Sequence, residues 1–304
     1  MNPSSPSHAI DFHHILWQFK VHSPDCPIEG LTGRLLRILP YDAAVELKRV
    51  WGVAEDGGVV EVALAPALIP ELERRWPLLG LERREKAVEP VEARFGLSDS
   101  WMIVPDREPS GTHPSSEAWD HLETELTLFA VSRLTRLVAV HSAAIAWKGK
   151  VLVVPGRPEA GKSTLALAAH EAGAAVLSDE YTLIDPDTGL VTGWGRSVRR
   201  RRLNGPAELI DIAVPSEPLP VGSIAIVHHD PGGDGWHPIS HAQATIEVLS
   251  HTICSRSRPG DALDAVLKIA SGAESVLGSR GEASEAIVQL LGLLEGRGEG
   301  TARE

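Results

Sequence analysis

The chain has 304 residues, 43% of them hydrophobic and 23% charged, and a formal net charge of −12. That length suits one large domain or two smaller ones, with enough apolar residues for a sizeable core. The acidic balance argues against general nucleic-acid binding. Cys26 and Cys254 lie far apart, which excludes a disulfide framework and a CxxC metal pattern. The 13 histidines are scattered, and the pairs His13-His14 and His228-His229 read as solvated side chains rather than zinc ligands. No apolar run approaches a membrane span, and the opening MNPSSPSHAIDFHH has no apolar signal segment. The expectation is a cytoplasmic protein with no membrane partner.

In chain order, residues 1–9 are polar and predict a frayed start. Phe12–Val21 reads as a strand and Tyr41–Trp51 as a short helix. Val59–Leu64 reads as a strand after the Asp56-Gly57-Gly58 turn, and Pro66–Trp76 as a helix. Residues 1–110 are therefore expected to form a small N-terminal α+β region. The stretch 106–116, DREPSGTHPSS, reads as a linker. An amphipathic helix follows, with Trp119, Leu122, Leu126, Phe129, Leu134 and Leu137 near helical spacing. Ser115 or Ser116 can cap it, and Glu117 suits its first turn.

From residue 140 the pattern becomes strand, turn, helix, strand. His141–Trp147 and Lys150–Val154 are strands separated by a turn at Gly149. Ser163–Ala172 is a helix ended by Gly173, and Ala174–Leu177 begins the next strand. This alternation predicts an α/β layer with a largely parallel centre over residues 115–296. Further strands are expected at Ser197–Leu203 and Ser223–His228, and helices at His241–His251, Pro259–Ala270 and Glu282–Leu294. The Gly/Glu-rich tail, 297–304, is expected to be disordered.

The central motif is Gly156, Arg157, Pro158, Glu159, Ala160, Gly161, Lys162, Ser163, which matches GxxxxGK[ST] at every specified position. Its setting matters more than the pattern. The strand VLVV leads in, and the helix-forming TLALAAHEA leads out. Glycines let several backbone N–H groups point inward, where they and the positive end of the helix dipole hold phosphate. Lys162 can reach the β- and γ-phosphates, Ser163 can place its hydroxyl on Mg²⁺, and Thr164 can contact a phosphate. Glu159 either points away from the phosphates or reaches a metal or an acceptor.

The next strand ends in Ser178-Asp179-Glu180. Mg²⁺ takes hard oxygen ligands and usually only one or two carboxylates. An acceptor hydroxyl needs a base for its proton. In an extended chain the two acids point to opposite sides, which allows them to split these roles. No NKxD-type guanine-reading tetrapeptide is present, so a switch-type GTPase is not indicated. The choice among ATP, GTP and pyrophosphate as donor stays open.

The run HSAAIAWKGKVLVVPGRPEAGKSTLALAAHEAGAAVLSDE, from His141 to Glu180, resembles HPr kinase/phosphorylase, closest to the divergent HPr-kinase-like proteins. The resemblance implies a phosphoenolpyruvate-carboxykinase-like P-loop fold and use of ATP or pyrophosphate with Mg²⁺. It also implies homo-oligomers, Asp179 as general base toward a serine hydroxyl, and His141 near the active site. The bifunctional enzymes carry two aspartates where this chain has Asp179-Glu180. Their EIRGxG signature is replaced by SVRRRRLNG at Ser197–Gly205, and their Pro-Gly-Arg loop by WHPISH at Trp236–His241. HPr itself and the phosphorylase half-reaction are therefore not implied.

Arg199, Arg200, Arg201 and Arg202 form the densest charge cluster. On a strand, Arg199 and Arg201 share one face and Arg200 and Arg202 the other. Such arginines either bind phosphate or an acidic substrate or guard a solvated strand edge. Arg256 and Arg258 are further candidates. The expected activity is transfer of the γ-phosphoryl group of ATP to a serine-like hydroxyl of a peptide, protein or small metabolite. The alternatives are a nucleotide-binding regulatory or scaffold protein, or a slow NTPase with no acceptor but water.

Overall fold

Val151, Leu152, Val153 and Val154 are all buried. A strand with no polar face has to be covered on both sides. The computed structural model meets that demand with helices on both faces of a central sheet. It describes residues 47–98, 101–103, 115–157, 160–195, 198–200, 208–210, 212, 217–230 and 235–295. All of these belong to one compact unit, Glu46–Glu304. The expected strand Phe12–Val21, the linker up to residue 114, Pro158, Glu159, Arg201, Arg202 and the tail lie outside them.

The first sheet is built from β1 (Lys48–Val53), β2 (Val59–Leu64), β3 (Glu82–Arg84), β4 (Ala93–Ser98) and β5 (Trp101–Ile103), in the order β3-β1-β2-β4-β5. Helix α1 (Ile69–Arg75) lies between β2 and β3, and α2 (Ser115–Val131) follows β5. The expected helix Tyr41–Trp51 is corrected over residues 48–51; residues 41–46 lie outside the described residues. Lys48–Trp51 is strand, because Val50 and Gly52 turn inward while the whole of β1 pairs antiparallel with β2. Trp119, Leu122 and Leu126 of α2 pack into this sheet's core. Burying each such side chain stabilises by roughly 1.5–3 kcal/mol. The helix ends at Val131, short of Leu134 and Leu137. Those two pack on the same core from the loop that follows.

The second sheet contains β6 (Val138–Trp147), β7 (Lys150–Pro155), β8 (Ala175–Ser178), β9 (Tyr181–Ile184), β10 (Leu190–Gly193), β13 (Leu219–His229), β14 (Trp236–Pro238) and β15 (Glu274–Arg280). Its order is β10-β9-β6-β7-β13-β15-β14, with β8 paired to β6. Helix α3 (Lys162–Glu171) follows β7, α4 (His241–Ser250) and α5 (Pro259–Gly272) precede β15, and α6 (Ala283–Leu294) follows it. A two-stranded ribbon, β11 (Val198–Arg200) and β12 (Glu208–Ile210), packs Val198 and Ile210 on α3 and β8.

Only β7, β13 and β15 run parallel; every other pairing in this sheet is antiparallel. The expectation of a largely parallel centre holds for those three strands. The flanks differ because tight turns such as Lys148-Gly149, both at positive φ, fold neighbours back as hairpins. Leu152 and Val154 face α3 and α6, while Val151 and Val153 face α4 and α5. The architecture is thus mixed α/β. The two sheets are not separate cores, since Ala139, Tyr181, Leu183 and Trp194 of the second region pack into the core of the first. Gly80 belongs to that contact. It sits at φ +68, and a Cβ there would lie 2.3 Å from the Trp194 ring. No helix among the described residues is long and apolar enough to cross a membrane.

Candidate functional site

The carboxyl end of β7 delivers Gly156, and the loop it opens closes on α3. Gly161 caps the helix at φ 83, ψ 18 and makes no side-chain cap bond, so the first turn's N–H groups depend on the loop or on a ligand. Lys162 begins the helix and folds back over the loop. Its Nζ donates to the carbonyls of Gly156 at 2.8 Å and Arg157 at 2.9 Å. Only 6% of Lys162 is exposed. Burial pushes the ammonium down to about 8, against the opposing pull of the Glu180 and Asp179 carboxylates. Ser163 is half-buried, and Thr164 and Arg157 are exposed.

Those two acids stand just beyond β8. Asp179 is 3% exposed and Glu180 half-buried. The chain is not extended there, contrary to expectation. Ser178 Oγ accepts from Glu180 N–H at 3.2 Å and Tyr181 N–H at 3.0 Å, which bends the chain into β9. The charges of both carboxylates favour the protonated form of Lys162.

His141 sits where β6 meets the loop. Its carbonyl accepts from Gly156 N–H at 3.3 Å, and its N–H donates to the His251 carbonyl at 2.8 Å. Its ring lies 5.7 Å from that of Tyr181, its cross-strand neighbour. His251 was not foreseen. The bridge between Val140 and Thr252 brings His251 opposite His141. Burial pushes the His251 imidazole down, and the Lys162 and Arg157 charges add to that shift. No local pattern in SHTIC announces the role; the signal is the helix end that returns the chain to the edge of β6.

Arg280 was also missed. It ends β15, the outer member of the parallel trio, and reaches Gly161. A Cβ on Gly161 would lie 2.1 Å from its Nη2. The signal that could have found it is positional: a basic residue at the carboxyl end of a strand parallel to β7, immediately before a helix.

Among the described residues, the candidate arginines Arg200 and Arg258 make their contacts away from the loop and the two acids. Arg200 makes an exposed pair with Glu171 at 2.8 Å. Arg258 donates to the carbonyls of Leu134 at 2.7 Å and Leu137 at 3.2 Å and pairs with Asp261, so it clamps the loop after α2. Arg256 is exposed. The WHPISH stretch is strand and helix cap: Trp236–Pro238 pairs with β15, and Ser240 caps α4 by accepting from Gln243 N–H at 3.2 Å.

Asp179, Glu180 and the Ser163 hydroxyl are hard oxygen donors suited to Mg²⁺. Among the described residues no group of three or more His, Cys, Asp or Glu could hold a metal unaided. Mg²⁺ needs no such cage, since it keeps waters and takes substrate phosphate oxygens. Fold and site together define a mixed α/β protein with a glycine-rich strand-to-helix loop faced by two acids. No protein-family model matches the chain, and no curated protein matches it.

Proposed function

We propose that this protein is an ATP- and Mg²⁺-dependent phosphotransferase of the HPr-kinase-like type, with a phosphoenolpyruvate-carboxykinase-like P-loop fold. Its substrate would be a serine-like hydroxyl of a peptide, protein or small metabolite. The observation that carries this reading is a desolvated lysine at a helix N-terminus whose charge is coupled to two carboxylates on the neighbouring strand connection. A loop that only bound nucleotide could use one acid on Mg²⁺ but would have no need of a second as base.

In this scheme Lys162 and the N–H groups of the loop hold the donor phosphates. Ser163 and Glu180, with Asp179 at hand, would hold Mg²⁺, which would supply neutralisation of phosphate charge. Asp179 accepts the proton of the acceptor hydroxyl as the new P–O bond forms, and the bond between the γ-phosphorus and the β–γ bridging oxygen breaks, releasing ADP. Its burial keeps water from competing for that carboxylate. His141 shapes the acceptor side through its contact with Tyr181.

The test is mass spectrometry of candidate acceptors incubated with the protein, ATP and Mg²⁺. The expected product gains one phosphate, and it vanishes with Lys162→Ala. Asp179→Asn should keep donor binding and lose roughly 10²–10⁴-fold in transfer rate. Normal transfer by that variant would sink the assignment. Steady ATP hydrolysis with no phosphorylated product would favour the NTPase reading instead.

A further inference from the structure

We propose that Arg280 is an anion-binding residue of the glycine-rich-loop site, holding an oxygen of the donor's phosphoanhydride chain from the side opposite Asp179. The inference rests on the phosphate-binding reading of that loop. It starts from a charge with no counter-charge bound to it. Arg280 is only 8% exposed, yet its Nε has no hydrogen-bond partner. The hydrogen bond its guanidinium makes is from Nη1 to the carbonyl of Gly281, at 2.9 Å. The carboxylates beside it, Glu282 and Glu285, are exposed at the start of α6, and neither forms an ion pair with it. A buried cation is costly unless paired, and a five-donor fork with one carbonyl partner retains donors for an anion.

The place it occupies says which anion. Its Nη2 rests against Gly161, the N-cap of the ten-residue α3, so close that no Cβ fits between them. The positive end of that helix and Lys162 converge on the same loop, and three positive features crowd together without a carboxylate bound to Arg280. Such an arrangement suits a ligand with several negative oxygens, and a guanidinium binds phosphate oxygens in bidentate fashion. Arg280 also lines a cleft of about 150 Å³ together with Trp236, Ser279, Gln289 and the carboxylates Glu282 and Glu285; the anion would meet its other side, the one that faces Gly161. Sheet order fixes the side of approach. β15 lies beyond β13 on one flank of β7, whereas β8 and β9 with the two acids lie across β6 on the other. A phosphate chain spanning the loop would meet Arg280 at one end and the transfer chemistry at the other.

The experiment uses the full chain with Mg²⁺ and, in separate arms, ATP and pyrophosphate. Calorimetric titration gives affinities, and thermal unfolding is followed with and without ligand. Arg280→Gln is expected to weaken both ligands roughly 10- to 100-fold. Its unliganded form should melt at or above the wild-type temperature, because a buried charge has been removed. Arg280→Lys retains charge without the fork and should recover part of the lost affinity. Wild-type affinity in Arg280→Gln would overturn the inference and leave the loop assignment standing. So would a lower unliganded melting temperature with no rescue by lysine, the mark of a structural role. Loss confined to ATP would move the contact to the nucleoside and overturn it as well. Failure of the wild-type protein to bind either ligand would remove the loop reading and this inference together.

Discussion

Buried charge is treated in two different ways in this molecule. Around the first sheet, each buried or half-buried guanidinium among the described residues meets carboxylates. Arg75 pairs with Glu71 and, at 2.6 Å, with Glu123, and its guanidinium lies 5.4 Å from the Trp119 ring centre. Arg133 joins Asp56 and Glu92, and Glu61 lies 3.6 Å from Arg49. Around the glycine-rich loop, Lys162 and Arg280 are as deeply buried, but their hydrogen bonds go to backbone carbonyls. A buried ion pair fastens elements together, whereas a buried cation without a bound anion is a cost the fold carries for something else. The contrast separates scaffold from site without reference to any sequence motif.

The sharpest way to break that comparison is Arg75→Met. The change fills the space but leaves the Glu123 carboxylate, 7% exposed, without its guanidinium. Glu71 also loses one of the two arginines that hold its carboxyl at about 2, the larger contribution being the hydrogen bond from Arg74. Breaking a buried pair from one side costs about 3–5 kcal/mol. Urea unfolding should show that loss in Arg75→Met. An equal loss in Arg280→Gln would erase the distinction between the two regions.

A second expectation concerns pH. Lys162 ordinarily titrates at 10.5 and is pushed down to about 8 by burial. Between those values the unfolded chain binds the proton and the folded chain does not, so stability rises with pH across that window. Relative to Lys162→Met, which cancels the other titrations, wild type should gain up to about 3 kcal/mol between pH 8 and 10.5. A bound polyphosphate favours the charged ammonium, so the gain should shrink in the presence of donor. Proton uptake on donor binding above pH 8, read by calorimetry in buffers of different ionisation enthalpy, checks the same coupling. A flat difference curve would mean that Lys162 is paired like the arginines of the first sheet.

How much of this the sequence discloses follows from how local each determinant is. The doubly buried VLVV strand, the loop and the Ala/Leu helix are contiguous, and each dictates its neighbour's geometry, so β7, α3 and the acids after β8 are legible directly. The hairpin Tyr181–Gly193 carries its own signal in DPDTG, where Asp185 Oδ1 accepts from Asp187 N–H at 2.8 Å. β1 was misread because KRVWGV owes its strand state to pairing with β2 as much as to its own pattern. Leu134 and Leu137 kept helical spacing by accident, and what places them is Arg258 drawing in their carbonyls from far downstream. His251 and Arg280 escaped for the same reason: each reaches the loop through sheet pairing. The run around Arg200 attracted attention by density, yet the ion pair that Arg200 makes is exposed.

The finest test sets two glycines against each other. Gly161 and Gly173 flank α3, and both hold positive φ, +83 and +89. Alanine at either position should cost roughly 1–2 kcal/mol of stability for the left-handed conformation. They differ in surroundings: a Cβ at Gly173 meets nothing within 4 Å, whereas one at Gly161 strikes the Arg280 guanidinium at 2.1 Å. Gly173→Ala should therefore lose stability alone. Gly161→Ala should lose about the same stability and, in addition, pyrophosphate affinity, because the guanidinium has to leave its place beside the loop. Equal affinities in the two variants would show that the position of Arg280 does not matter to the anion, even if its charge does. Equal losses of affinity would trace the effect to a loosened α3, and Lys162 would then carry the anion without help from β15.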